Sequence, residues 1–419
     1  MKTVYAFLAA DRYWPDQNRL KEVYGELCGR LHCEENARLL TDADGETLPE
    51  GDCVVIVPMS GAVQQKILNI SSRFGGTVLY GAYIEGNCPA AAGQDMMRAN
   101  AAPTLMDTWA VLRRGEGHIF LALNESDLSE KLRVLEAYFH IRGAVVLKIG
   151  QTEPWVVSNA SDTGVYEDRF GIKVVSVRQE ELESMFISAS REQAVPYHAW
   201  FSEHASGCVE PTGDDLWNAS RMAYALITLL EKYHASAAAL ACFNLLRTGT
   251  TSCLGVSYVN DCTDMSVSCE CDMDSAVTML VMKKLTDTPL WMANPGLHPD
   301  GTINFSHCTS PICCLGQPLP CTLRSHHESG IGVSLQVDMP ENRRITACRI
   351  SNNASEMTVH TGTSAAGAYE NACRTQMYVR FDDAEHYLNT ALGCHQVFAF
   401  EDISSRLRSI AKLFDLRIL

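Results

Sequence analysis

The sequence predicts an α/β protein with two doubly wound, parallel-sheet (Rossmann-like) domains over 1–140 and 141–315, then a β-rich, barrel-like domain over 316–419. Three observations carry that prediction. Apolar strand-like runs alternate with helical stretches from the N-terminus to about residue 140, and the alternation starts again at Arg142-Gly143. From Gly316 the texture changes to short segments that alternate apolar and polar residues between Gly, Asn and Asp turns.

In the first domain TVYAFLAA reads as a strand, and Gln17 to Leu31 as a helix with Leu20, Val23, Leu27 and Leu31 near helical spacing. CVVIVP (Cys53 to Pro58) reads as a buried strand, GTVLYGA as another, and Asp127 to Tyr138 as a helix. In the second domain AVVLKIG and FGIKVVSV are strands, and Glu180 to Met185 starts a helix. Asp214 to Tyr233 is amphipathic, with Leu216, Ala219, Ala223, Leu226, Leu230 and Tyr233 on one face. A helix over Asp274 to Leu285, a short strand over Pro289 to Ala293 and a strand ending at His307 follow. The third domain holds GVSLQVDM, RRITACRIS, EMTVHTG, TQMYVRF and HQVFAFE as strands and closes with a helix over Asp402 to Phe414.

Composition excludes several classes. The 419 residues are 46% hydrophobic and 20% charged, as in ordinary globular proteins. A net charge of −16 argues against non-specific nucleic-acid binding and gives an anionic membrane surface no purchase. The apolar N-terminal run is broken by Asp11 and Arg12, so it reads as a first strand rather than a signal peptide, and no run suits a transmembrane helix. Seventeen cysteines without an export signal imply reduced thiols in a cytoplasmic protein. Their spacing, with CxC at 269/271 and adjacent Cys313-Cys314, lacks the paired CxxC units of a structural zinc site. No GxGxxG or P-loop supports nucleotide binding.

The stretch from Val267 to Thr309 concentrates the residues able to carry chemistry. Glu270 lies between two cysteines just before a helix, in apolar surroundings where a carboxylate needs a cation or metal as partner. Asp272 and Asp274 in the first turn complement the helix macrodipole, and capping is the preferred reading of Asp274. His307 ends a strand and His395 sits at a Gly turn before VFAF. One carboxylate and two imidazoles would make an open site for a divalent ion, with Glu270, His307 and His395 as the ligands; the alternative is a structural Glu270 and a hydrogen-bonded structural His307. Ser60, at the end of a strand, is a candidate ligand contact or a plain tight turn. His327 and Glu328, within HHESG, are a candidate ligand group or an exposed loop.

CVVIVPMSGAVQ, CECDMDSAVTML, WMANPGLHPDGTINFSHCT, HHESGIGV and GCHQVFAFED, taken in order, make the chain similar to the L-fucose isomerase/L-arabinose isomerase superfamily, particularly its shorter fucose isomerase-like members. The resemblance covers most of the chain. It implies two α/β domains and a β-rich C-terminal domain, with Mn²⁺ or a similar ion bound between the last two. It further implies interconversion of aldoses with ketoses and assembly as a trimer or hexamer. By position Glu270 resembles the metal-binding, proton-transferring Glu, His395 the C-terminal metal-ligand His, and His307 the strand-end His. Asn294 stands where the family carries a second acid, and an amide cannot shuttle a proton at neutral pH. Asp272 is then the candidate for the second catalytic group, and Asn294, Ser60, His327 and Glu328 are candidate contacts to a monosaccharide. The alternatives are a sugar-binding or regulatory protein without turnover, and an epimerase or lyase using the same enolising chemistry.

Overall fold

The computed structural model describes residues 1–42, 44–45, 47–82, 101–115, 117–160 and 162–419. The chain divides into two compact units, Met1–Phe139 and His140–Leu419. The first holds five parallel strands, β1 (Thr3–Leu8), β2 (Ala37–Leu40), β3 (Cys53–Pro58), β4 (Gly76–Tyr80) and β5 (His118–Ala122), in the order β2-β1-β3-β4-β5. Every residue of β3 is buried, which is why CVVIVP is continuously apolar rather than alternating. The helix Gln17–Leu31 buries Leu20, Val23 and Leu27, and its N-cap Asp16 accepts hydrogen bonds from the Asn18 and Arg19 amides.

Strand order reverses between β1 and β3, the place where open α/β sheets form a crevice. Ser60 lies at that crevice, but its buried hydroxyl accepts from the Ala10 amide at 2.7 Å and donates to the Gly61 carbonyl at 3.0 Å. The donor and one acceptor position of the hydroxyl are therefore used in joining the ends of β1 and β3, which is the tight-turn reading of Ser60.

The second unit starts with a parallel sheet of β6 (Val145–Ile149), β7 (Lys173–Val177), β9 (Ala235–Leu240) and β10 (Ser266–Ser268), ordered β10-β9-β6-β7. Between them in sequence, β8 (Ala205–Cys208) leaves this sheet and pairs with β13 (Cys321–Arg324), which in turn pairs with β14 (Ser334–Val337). The antiparallel part is a closed six-strand barrel. It is built from β11 (Trp291–Leu297), β12 (Ile303–His307), β15 (Arg344–Ser351), β16 (Glu356–Ala365), β17 (Thr375–Phe381) and β18 (Gln396–Ala399). The order β15-β18-β11-β12-β17-β16 closes through the pairing of β15 with β16, and β19 (Arg417–Ile418) adds to β16. Closure removes the sheet edges. Trp291, Phe305, Ile345, Val379 and Phe398 fill the core.

The domain boundary expected at 315/316 does not describe this arrangement. β11 and β12 lie before it and belong to the barrel, while β13 and β14 lie after it and pair outside the barrel. A four- to seven-residue apolar run announces a strand but carries no signal for its partner, so the sequence could not assign these strands to sheets. The helix Met273–Lys283 is buried along Met273–Met282 because it packs on β9 and β10 on one side and on β15 and β18 on the other. Among the described residues no helix is long and apolar enough to cross a membrane, and the described cysteines are all free.

Candidate metal centre

The second parallel sheet reverses its strand order between β6 and β9, so the loops after β6, β9 and β10 converge at their carboxyl ends. Glu270 sits in the loop after β10. Its φ is +60° and that of Cys271 is +48°, two consecutive non-glycine residues in the left-handed region. Each costs roughly 1 kcal/mol, and such strain persists where surrounding contacts overdetermine it. Here the Cys271 amide donates to the Leu240 carbonyl, the Glu153 amide donates to the Glu270 carbonyl at 3.1 Å, and the Thr152 hydroxyl donates to the Cys271 carbonyl. The sharp turn presents the Glu270 carboxylate instead of continuing into the helix.

The barrel supplies two imidazoles from one rim. His307 is the last residue of β12, and His395 immediately precedes β18. Ala293 of β11 pairs with Gln396, and Asn294 pairs with Ser306, which sets the two histidines at the same level on either side of β11. Glu270 Oε1 lies 3.3 Å from His395 Nε2 and 3.8 Å from His307 Nε2. One donor atom from each residue falls within 4.8 Å of the others, and all three residues are buried. The group can hold a divalent metal ion. A carboxylate with two imidazoles is a borderline donor set that leaves coordination positions for ligand oxygens.

Both histidines are oriented from behind. Thr309 Oγ1 lies 2.8 Å from His307 Nδ1, and Asp272 Oδ2 lies 2.7 Å from His395 Nδ1. A carboxylate on the remote nitrogen fixes the tautomer that offers Nε2 to a metal. Asp272 is itself held by Arg349 Nη1 at 3.0 Å and by the Ser275 hydroxyl and amide at 2.9 Å each. Arg349, Asp272 and Asp274 are all fully buried, and Asp274 accepts further hydrogen bonds from Tyr166 Oη and the Ser351 hydroxyl.

These contacts set the charges. Burial pushes the Glu270 carboxyl up, but hydrogen bonds and charge from His307 and His395 outweigh it and hold the group well below the usual carboxylate range. Burial likewise opposes the Asp272 charge, and Arg349 with His395 hold it far down. Burial disfavours a His395 imidazolium, yet hydrogen bonds to Asp272, Cys394 and Glu270 raise its pKa well above the ordinary value. These hydrogen bonds favour a proton on His395 in the metal-free centre, and a metal would displace it from Nε2. Binding of a divalent metal ion is expected to release a proton at pH 7 and to weaken by up to about tenfold per unit as pH falls. Calorimetric titrations in buffers of different ionisation enthalpy measure that proton, and a value of zero would contradict the assignment of His395.

The structure brings Glu270, His307 and His395 together and places the other candidates differently. Asp272 is not available for proton transfer to a ligand, because Arg349, His395 and Ser275 engage its carboxylate away from solvent. It is also the helix N-cap, the role first given to Asp274. Asn294 is half-buried in β11, between the chain neighbours of the two histidines. His327 and Glu328 occupy a turn closed by the Gly330 amide on the His326 carbonyl, with Glu328 exposed. His326 is the residue turned inward, edge-on to Phe243 with ring centroids 5.7 Å apart. Glu153, Trp155, Thr309 and Arg349 were missed. For the first two a signal existed, since GQTEPW directly follows an apolar strand of the second sheet, and strand-end loops there are where ligands bind. A scan against protein-family models returns no match for this chain, and a search of the curated proteins returns none either.

Proposed function

We propose that the chain is a divalent-metal-dependent aldose–ketose isomerase acting on a monosaccharide through an enediol intermediate. The observation that carries the reading is the buried Glu270–His307–His395 group, in which one carboxylate oxygen faces two oriented imidazoles. Mn²⁺ is the ion the resemblance implies, and a divalent ion there supplies Lewis-acid polarisation of a carbonyl oxygen and stabilises enolate charge. Glu270 would hold that ion through one carboxylate oxygen, beside His307 and His395. Its other oxygen, Oε2, accepts the Trp155 indole N–H at 2.5 Å and moves the proton between C1 and C2. Asp272 acts through His395 by fixing its Nδ1 proton. The reading extends to a doubly wound, Rossmann-like course of both parallel sheets, a trimeric or hexameric assembly and a cytoplasmic location, where free thiols stay reduced.

Asn294 favours a second reading, a sugar-binding or regulatory protein that keeps the site without turning substrate over, because its amide cannot exchange a proton at neutral pH. An epimerase or lyase would use the same enolising residues. Incubation of Mn²⁺-loaded protein with a panel of aldoses and ketoses in heavy water separates these readings. The isomerase is expected to replace the aldose C2 hydrogen by deuterium and to yield the matching ketose. Exchange without ketose would point to an epimerase or lyase, and binding with no exchange would leave the sugar-binding reading in place.

A further inference from the structure

The loop after β6 brings a second buried carboxylate to the same corner. Glu153 is 7% exposed, and its Oε1 has no hydrogen-bond partner among the described residues. The other buried acids nearby are all engaged: Glu270 by two imidazoles and an indole, Asp272 by Arg349 and His395, Asp274 by Tyr166 and Ser351. An unpaired buried carboxylate oxygen is costly, and a donor supplied by a ligand or water would offset that cost. Two residues on, Trp155 is 51% exposed, yet its orientation is fixed. Its indole N–H is held by Glu270 Oε2, and its ring stands edge-on to Phe243 with centroids 4.9 Å apart. The loop is tied to the Glu270 turn by three hydrogen bonds, from the Thr152 hydroxyl, the Glu153 amide and the Trp155 indole. An acceptor lacking a donor and an exposed aromatic face therefore sit on one short segment anchored to the metal-ligand carboxylate.

We propose that Glu153 and Trp155 form the ligand-recognition side of the Glu270 centre: Glu153 Oε1 accepts a hydrogen bond from a hydroxyl of a polyhydroxylated ligand, and the Trp155 ring packs against its C–H face. The inference rests on the isomerase reading for where the ligand lies, and it adds which residues select it. A neutral hydroxyl is a donor that fits, because it can serve the open Oε1 acceptor without adding a charge to the buried corner. An aromatic face beside a buried acceptor suits a ring or chain with one apolar and one polar side. A ligand lacking the matching hydroxyl would leave the carboxylate unpaired and be rejected.

Alditols test this directly, because they carry the hydroxyls but cannot isomerise, so binding is read without turnover. Ribitol, xylitol, sorbitol and galactitol are titrated calorimetrically into Mn²⁺-loaded wild type, Glu153→Gln and Trp155→Ala, and Mn²⁺ is titrated into each metal-free protein. At least one alditol is expected to bind the wild type and to bind Glu153→Gln at least about tenfold more weakly, with Mn²⁺ affinity changed by less than about threefold. Retained Mn²⁺ affinity also shows that the variant has folded, since the site needs the Glu270 turn and both barrel strands in place. Trp155→Ala is expected to lose alditol affinity by a similar factor. Equal alditol affinity in wild type and Glu153→Gln overturns the proposal, as does failure of Mn²⁺-loaded wild type to bind any of the four. Loss of Mn²⁺ affinity in Glu153→Gln also overturns it, because Glu153 would then serve the metal. Absence of Mn²⁺ binding by the wild type would instead defeat the isomerase reading, and the same alditol titrations with EDTA-treated protein would still decide the part assigned to Glu153.

Discussion

Glu270→Gln is expected to lower Mn²⁺ affinity by at least about a hundredfold, more than the ten- to hundredfold typical of residues that only orient a ligand. The amide keeps the shape of the side chain, and its oxygen can still approach a cation, but the negative charge that two imidazoles converge on is gone. A second readout comes from the metal-free protein. The Glu270 carboxyl is held below its ordinary value in the folded state, so its charge contributes stability above the ordinary carboxylate range, and that stability disappears as pH falls through the folded value. Denaturant unfolding in EDTA should therefore show Glu270→Gln less stable than wild type at pH 7, with the gap closing on acidification. Direct metal titration decides the main point: an unchanged Mn²⁺ affinity would remove Glu270 from the site and leave the two histidines without a centre.

Arg349→Met should be the most destabilising single change in the barrel, by about 3–5 kcal/mol at neutral pH. Methionine replaces the aliphatic stem of the side chain and none of its five N–H donors. Nη1 lies 3.0 Å from Asp272 Oδ2, 3.0 Å from Ser275 Oγ and 3.1 Å from the His395 carbonyl. Nη2 lies 3.0 Å from Ser158 Oγ and 3.5 Å from Asp274 Oδ2, and Nε reaches the Leu392 carbonyl at 3.2 Å. Without the guanidinium, two buried carboxylates keep only neutral donors (Ser275, Tyr166 and Ser351) and His395. Burial already pushes Asp274 up to about 6 despite Arg349, with the Asp272 charge adding to the rise. A carboxyl whose folded pKa is raised favours the fold while protonated and loses that contribution as pH rises through the folded value. The Arg349→Met deficit is therefore expected to be larger at pH 8 than at pH 5, and Arg349→Met/Asp274→Asn should recover part of it. A deficit independent of pH would mean that lost packing, not uncompensated charge, is the cause. Arg349→Lys should restore little, because a single ammonium cannot reach six acceptors from one position.

Much of this was legible in the chain. The helix Gln17–Leu31 and the strands Cys53–Pro58 and Ile303–His307 end where their patterning ends, because capping and burial on known faces are local matters. Glu270 stood out as a carboxylate in apolar surroundings, His307 as a strand-end imidazole and His395 as an imidazole at a Gly turn before a strand, since residue type and chain position set what each can ligate. What the sequence could not determine is which distant groups meet. Arg349 reads as one more residue in an alternating strand, yet β15 places it against the cap of a helix that begins 76 positions earlier, at Met273. Asp272 could be named but not assigned, because whether a buried carboxylate moves a proton or holds an imidazole depends on what stands within 3 Å of it. The barrel partners of Trp291–Leu297 were equally hidden, since alternation sets a strand's faces and not its neighbours. Local chemistry and periodicity thus picked out Glu270, His307 and His395, and long-range packing alone decided which buried carboxylates are engaged and which oxygen lacks a donor.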